Sequence, residues 1–464
     1  MTPKRPINAD VPAAEEKDQA PVPKAEEKPP SKPERAEPKP ATKESKPERA
    51  EPKPGPKKPK PKSGGGPGAP KALIALVALA AIFIVVAIVW GSGGEDSEAP
   101  APAPTATTSS SESAGGDSQS AEALGYPGFA TNNTTRIGGS DPVSNAAAAA
   151  LAAFPSTTAE QRPAAVPGVG AEDWAGAIAA AVLMADRVRA PILFSGTDDV
   201  PGATEEALGA LDPQGSPATG SAPIFAVGTV AYPGKAAPVD SGDPATTAAQ
   251  VATLRDRLAG RPRHIVVASS SHPDFAMPAA AWAARSGDPV LYSDPQKLPT
   301  ATAEALRKHP QVPVYVLGPS TTISSDVVRE IGAISKQVKR VSGEDPVANA
   351  LALARYRDGS FGWNVNDPGH GFVLARSDSP ADAAAAAPLS ASGTWGPLLL
   401  TDDAAALPDE VRNYLLDVKP GYTTDPTRAF YNHVWVIGDR DAIGVGQQAE
   451  VNELAELAKI GGER

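Results

Sequence analysis

Residues 136–146 read RIGGSDPVSNA and residues 340–350 read RVSGEDPVANA, the same residue at seven of eleven positions. Between them a shorter copy, Ser241-Gly242-Asp243-Pro244, lacks the leading Arg. The glycines Gly139, Gly242 and Gly343 stand about one hundred residues apart, a period that signals a repeated structural unit. Asp-Pro in each copy sets an N-cap acceptor beside a residue already locked at a helical φ, so each copy opens a helix.

Working outward, the same landmarks recur in the same order. An apolar strand leads to an Asp that opens an Ala-rich helix: Asp173 before WAGAIAAAVLM, Asp274 before FAMPAAAWAA, Asp382 before AAAAAPLSA. A Pro-initiated strand follows at Pro191, Pro289 and Pro397, then a Pro-initiated helix at Pro201, Pro299 and Pro408 with a Leu seven residues on. Each unit closes on a strand ending in Gly: IFAVG at 224–228, VYVLG at 314–318, VWVIG at 434–438. Apolar runs of four or five residues between Gly and Pro suit strands buried on both faces, and strand–helix alternation indicates mostly parallel sheets. The fold class expected is α/β, as three tandem Rossmann-like units at 126–235, 236–335 and 336–464.

The amino-terminal part reads differently. Ala72 to Trp90 is an uncharged apolar run with Lys53, Lys57, Lys58, Lys60, Lys62 and Lys71 before it and Glu95, Asp96 and Glu98 after it. Its length matches a bilayer core of roughly 30 Å, and Lys-rich flanks stay inside. The expectation is one transmembrane helix over 72–90 in a single-pass plasma-membrane protein, amino terminus cytoplasmic and the carboxyl-terminal domain extracellular. Residues 1–71, rich in Pro, Lys and Glu with SKPERAEPKP at 31–40 and 45–54, read as a disordered tail, and 91–125 as a flexible stalk. The tail reads as an evolvable tether, with a docking site for a cytoplasmic partner as the alternative.

Charge follows this division. The chain's net charge is −11, yet residues 1–71 hold 17 Lys+Arg against 11 Asp+Glu, leaving 26 against 43 for the rest. A globular part so acidic lacks the clustered cations that phosphate backbones require, which argues against nucleic acid. Absence of cysteine excludes thiol catalysis and Cys-ligated metals.

The repeats resemble the cell-wall-binding repeat family of the second type. That family's pattern runs Arg-x-x-Gly-x-Asp-Arg, Asp-Ala-Leu, Pro-Ile-Leu-Leu and Val-Ile-Gly-Gly; here Asp-Pro replaces Asp-Arg and the closing second Gly is Thr229, Pro319 or Asp439. The resemblance implies three units about a pseudo-threefold axis, a non-catalytic bacterial surface protein, and an anionic cell-wall polymer as partner. With three units in one chain, a monomer is expected.

Candidate ligand-binding residues follow. Arg136 and Arg340 can hold an anion in a guanidinium fork, with Asp141 and Asp345 of the same motif beside them. Asp173, Asp274 and Asp382 sit where strand becomes helix, the lip at which open α/β sheets bind ligands. Capping is the plainer role for these acids, and an Arg–Asp pair the plainer role for the arginines. No cofactor is called for, and no HxxxH or HExxH pair offers zinc ligands. Ser269-Ser270-Ser271-His272, Gly369-His370-Gly371 and the incomplete glycine pattern Gly168-Val-Gly170 are weak enzyme signals. A scaffold for other envelope proteins, or a small-ligand binder or hydrolase, are the alternatives.

Overall fold

A computed structural model describes residues 129–461. The first segment runs β1 (Phe129–Ala130), β2 (Thr134–Ile137), α1 (Pro142–Ala153), β3 (Val166–Gly170), α2 (Trp174–Ala180), β4 (Leu193–Ser195), α3 (Gly202–Leu211) and β5 (Ile224–Val227). The second runs β6 (Ala236–Val239), α4 (Pro244–Ala259), β7 (Ile265–Ser269), α5 (Pro273–Ala276), α6 (Pro278–Ser286), β8 (Val290–Ser293), α7 (Thr300–Lys308), β9 (Val314–Leu317) and α8 (Ser325–Ile334). The third runs β10 (Val338–Val341), α9 (Pro346–Arg355), β11 (Gly371–Arg376), α10 (Pro380–Ala385), α11 (Ala387–Ala391), β12 (Leu398–Thr401), α12 (Asp409–Asp417), β13 (Gly421–Tyr422), β14 (His433–Ile437), α13 (Val445–Ala455) and β15 (Ala458–Lys459).

Three larger sheets result, with orders β4-β3-β5-β6, β10-β9-β7-β8 and β1-β2-β14-β11-β12. Every pairing in them is parallel except β1 with β2. Sequence period and sheet membership do not coincide. The strand that opens each repeat leaves its own unit: β6 pairs β5, β10 pairs β9, and β2 pairs β14, with Arg136 opposite Val436. The exchange therefore runs in a ring, the last sheet being completed by the first strand of the repeats.

The core lies where the Ala-rich helices meet. α2 with its 3₁₀ continuation Ala181–Met184, α5 with α6, and α10 with α11 pack on one another. Their alanines, Ala177 to Ala181, Ala279 to Ala281 and Ala383 to Ala387 among them, are almost wholly buried. Small side chains let three helices approach closely without leaving voids, which interiors at crystal-like density do not tolerate. The opening helices α1, α4 and α9 rest on β4, β8 and β12 of their own units and touch the Ala-rich helices of a neighbour.

One expectation is overturned. Among the described residues no helix is long and apolar enough to cross a membrane. The longest, α4, has 16 residues, or about 24 Å of rise against a hydrocarbon core of about 30 Å, and carries Arg255, Asp256 and Arg257. The transmembrane helix and the single-pass plasma-membrane location are corrected on this finding, and the membrane and cytoplasmic partners find no support in it. The run 72–90, the tail 1–71 and the stalk 91–125 lie outside the described residues.

Candidate functional site

The first opening motif builds one wall of a cleft at the carboxyl ends of a sheet, and all three motifs share its local geometry. Asp141 caps α1, accepting from the amides of Val143 at 2.9 Å and Ser144 at 3.0 Å. Asp243 caps α4 in the same way, and Asp345 caps α9 through Ala348 N at 2.8 Å. Asn145, Thr247 and Asn349, four residues after the caps, each accept from a glycine-loop amide, of Gly139, Gly242 and Gly343. The two asparagines also donate across to a neighbouring unit: Asn145 Nδ2 to Asp382 Oδ1 at 2.8 Å, Asn349 Nδ2 to Phe275 O at 3.1 Å.

Arg136 and Arg340 lie behind this wall, engaged with backbone. Arg136, 5% exposed, donates to Gly438 O at 2.9 Å, Asp439 O and Ile443 O, both at 2.5 Å, and through Nε to Gln448 Oε1 at 3.1 Å. Arg340 donates to Gly318 O, Pro319 O and Ile323 O at 2.6–2.9 Å. Burial lowers the pKa of both guanidiniums. Each one brackets the carbonyls of the loop leaving β14 or β9, so the arginines hold the loop instead of facing the cleft, and neither pairs with Asp141 or Asp345.

This bracket explains why the middle copy lacks its Arg. Pro238 occupies the register position, opposite Ala226 as Arg340 is opposite Val316. Yet β5 runs to β6 through eight residues with no helix, whereas β9 reaches β10 through twenty that include α8. Where the loop and helix are missing, the residue that braces them is missing too. Tyr232 closes that place, its hydroxyl donating to Leu193 O at 2.9 Å and its ring lying over Gly168. A Cβ on Gly168 would sit 1.9 Å from that ring. This glycine thus makes room for an aromatic side chain, and the Gly168-Val-Gly170 stretch is strand β3.

The acids expected on the strand–helix lip fall at three different places. Asp173 is the cap of α2, accepting from Gly176 N at 2.8 Å. Asp274 lies inside the first turn of α5, whose cap position is His272. Asp382 lies one residue further along the first turn of α10, capped by Ser379, and is 6% exposed. Its carboxylate accepts from Asn145 Nδ2 and from Ser379 Oγ at 2.6 Å; burial, with Asp141 and Asp378 adding to it, pushes the carboxyl above its ordinary range.

Asp141 and Asp382 do meet in one cleft of about 250 Å³, with Arg376, Asp378 and Asp441 also on its walls. Arg376 forms a bidentate pair with Asp378, at 3.1 and 2.7 Å, so its charge is matched. The cleft is acidic. Among the described residues no cluster of three His, Asp or Glu side chains is placed to hold a metal.

A second cleft, of about 310 Å³, opens at the amino ends of strands β7, β8 and β12, and no sequence signal pointed to it. Arg263 and His264 precede β7, Arg285 and Asp288 precede β8, Trp395 precedes β12, and Ser360 and Trp363 come from the turn after α9. Asp288, 1% exposed, accepts from His264 Nδ1 at 2.9 Å, from His264 N at 3.0 Å and from Trp282 Nε1 at 3.0 Å. His264 Nε2 lies 3.1 Å from Ser360 Oγ. Lone Trp residues spaced by thirty or more positions read as core, which is why the site stayed hidden.

The family model for Cell wall binding domain 2 (CWB2) matches residues 240–328 and 340–446. The match falls on two tandem segments of this chain. Solved structures agree on the fold: Cwp6 from Clostridium difficile aligns at TM-score 0.53 and 18% identity, over 70% of this chain and 48% of that one. Cwp8 from Clostridium difficile aligns at TM-score 0.52 and 19% identity, over 70% and 52%. The chain thus spans about half the length of these two structures. No curated protein matches it. Both CWB2 matches stop short of 129–239, the segment whose connection between β5 and β6 has no helix.

Proposed function

We propose that residues 129–461 form a non-catalytic module that binds a cell-wall polymer of anionic glycan type. One observation carries this reading: two consecutive segments match CWB2, and β6 just before the first and β10 at the head of the second complete, with β2, three mostly parallel sheets in a ring. Because that ring closes within one chain, the module acts as a monomer, needing no strand from a second copy. The test is co-sedimentation of the full 464-residue chain with isolated bacterial cell wall. Pelleting with intact wall, and loss of pelleting when anionic polymers are stripped from it, supports the reading. A chain that stays in the supernatant with intact wall sinks it.

The order Ser360–His264–Asp288 favours a second reading, a hydrolytic centre, because hydroxyl, imidazole and carboxylate stand in the sequence that activates a serine. The binding reading treats the same contacts as a strut: Asp288 fastens the start of β7 to Trp282 on α6, and His264 ties both to the turn at Ser360. A fluorophosphonate probe separates the two. Labelling of the full chain that disappears in Ser360→Ala establishes the centre; an unlabelled chain leaves the strut.

A further inference from the structure

The polymer reading leaves a question of charge, since an anionic glycan would be repelled by the acidic cleft at Asp141, Asp378 and Asp382. The opposite edge of the sheets has the other character. There Trp395, half-buried, stacks on Trp363 with ring centroids 6.0 Å apart and planes 24° from parallel. Trp363 is in turn braced edge-on by Trp282 at 5.5 Å. The Arg285 guanidinium lies 4.4 Å over the Trp395 ring. Arg263 lines the same cleft, and among the described residues neither Arg263 nor Arg285 makes an ion pair, whereas Arg376 in the acidic cleft is matched by Asp378.

We propose that this cleft is an anionic-sugar subsite, in which a sugar ring stacks on Trp395 while its carboxylate or phosphate is held by Arg285 and Arg263. The inference rests on the polymer reading for its choice of sugar. A pyranose presents a face of C–H groups to an aromatic ring and hydroxyls at its rim, and a rigid Trp platform offers that face contact area at small entropic cost. A guanidinium already stacked on the ring is pre-organised to fork onto an anion. Ser360, exposed, lines the same cleft, where its Oγ can meet a sugar hydroxyl. A volume of about 310 Å³ is that of a single-ligand site. Arg285 also lines a neighbouring cavity of about 560 Å³, with Arg189, Asp186, Ser392 and Gly393, so the next sugar of a polymer has a place to continue.

The experiment is calorimetric titration of the full chain with trigalacturonic acid, with glucose 1-phosphate, and with neutral cellotriose. The two charged probes distinguish a carboxylate from a phosphate source. At least one should bind, tenfold or more tighter than cellotriose. Trp395→Ala should remove that binding, and Arg285→Gln should reduce the charged probe to the level of the neutral one. Arg285 is exposed, so its variant still tests the subsite where Trp395→Ala fails to fold. Equal affinity for cellotriose, no binding of either charged probe, or wild-type affinity in Arg285→Gln overturns the proposal. Wall sedimentation of the same variants keeps the two ideas separate: wild-type pelleting that persists in both variants overturns the subsite and leaves the polymer reading in place. Probe binding by a chain that does not pellet does the reverse.

Discussion

Asn145 Nδ2 donates to Asp382 Oδ1 at 2.8 Å, and the same asparagine accepts from Gly139 N through its own Oδ1. One amide thereby joins the opening loop of the first repeat to the Ala-rich helix of the third. Asp382 is raised because its charged form is buried, so the native state holds a proton that the unfolded chain has released. Stability is then greatest at and below the unfolded value near 3.8 and falls as pH rises towards the native value, with the full penalty above it. Asp382→Asn keeps an acceptor for Asn145 and carries no charge. Melting temperatures from pH 4 to 8 should fall less steeply with pH in the variant than in the wild type. An unchanged slope would assign the acid no part in it.

Arg136 serves three carbonyls of one loop and Gln448. Arg136→Met leaves those carbonyls without their donor and should cost about 3 kcal/mol in chemical denaturation. Arg340→Met should cost less, about 2 kcal/mol, because Arg340 is only partly buried and part of its loop can turn to water. For either arginine, lost wall pelleting at wild-type stability in the Lys variant would show direct ligand contact.

The caps offer a graded pair. Asp141 accepts two backbone amides and the Ser144 hydroxyl, Asp345 a single amide. Asp141→Ala should destabilise by about 1–2 kcal/mol and Asp345→Ala by about 0.5–1 kcal/mol, read from urea midpoints. Equal values would mean that the Ser144 contact and the second amide add nothing.

Gly168→Ala should destabilise by about 1–3 kcal/mol, since the new methyl collides with the Tyr232 ring. Combining it with Tyr232→Ala should cost less than the sum of the two single changes, a coupling expected only for groups in contact. Additive costs would dissociate Gly168 from Tyr232.

Local chemistry was readable in the sequence. Asp-Pro caps open α1, α4 and α9, and strands β5, β9 and β14 end at Gly228, Gly318 and Gly438, all with positive φ. Pairing was not readable, because period and composition give an element's type and leave its partner open; nothing in TTRI at 134–137 says that it joins a strand three hundred residues later. The Asp register slipped for a related reason: three acids at similar spacing from an Ala-rich run land on a cap, in the first turn and on a buried bridge, which differ by one to three residues of helix. The arginines misled because a guanidinium fits a carbonyl cluster as well as an anion. Trp282, Trp363 and Trp395 carry no mutual spacing and converge only through the fold.

The strand exchange sets a timetable for synthesis. Arg136 and Gly438, which meet at 2.9 Å, are 302 residues apart in the chain. At about 5–20 residues per second a ribosome needs roughly 15–60 s to deliver the second after the first. Throughout that interval β2 has only the two residues of β1 to pair with, and its other edge waits for β14. Nascent chains arrested before residue 433 should therefore expose 134–137 to protease, and protection should arrive only once the strand at 433–437 has emerged.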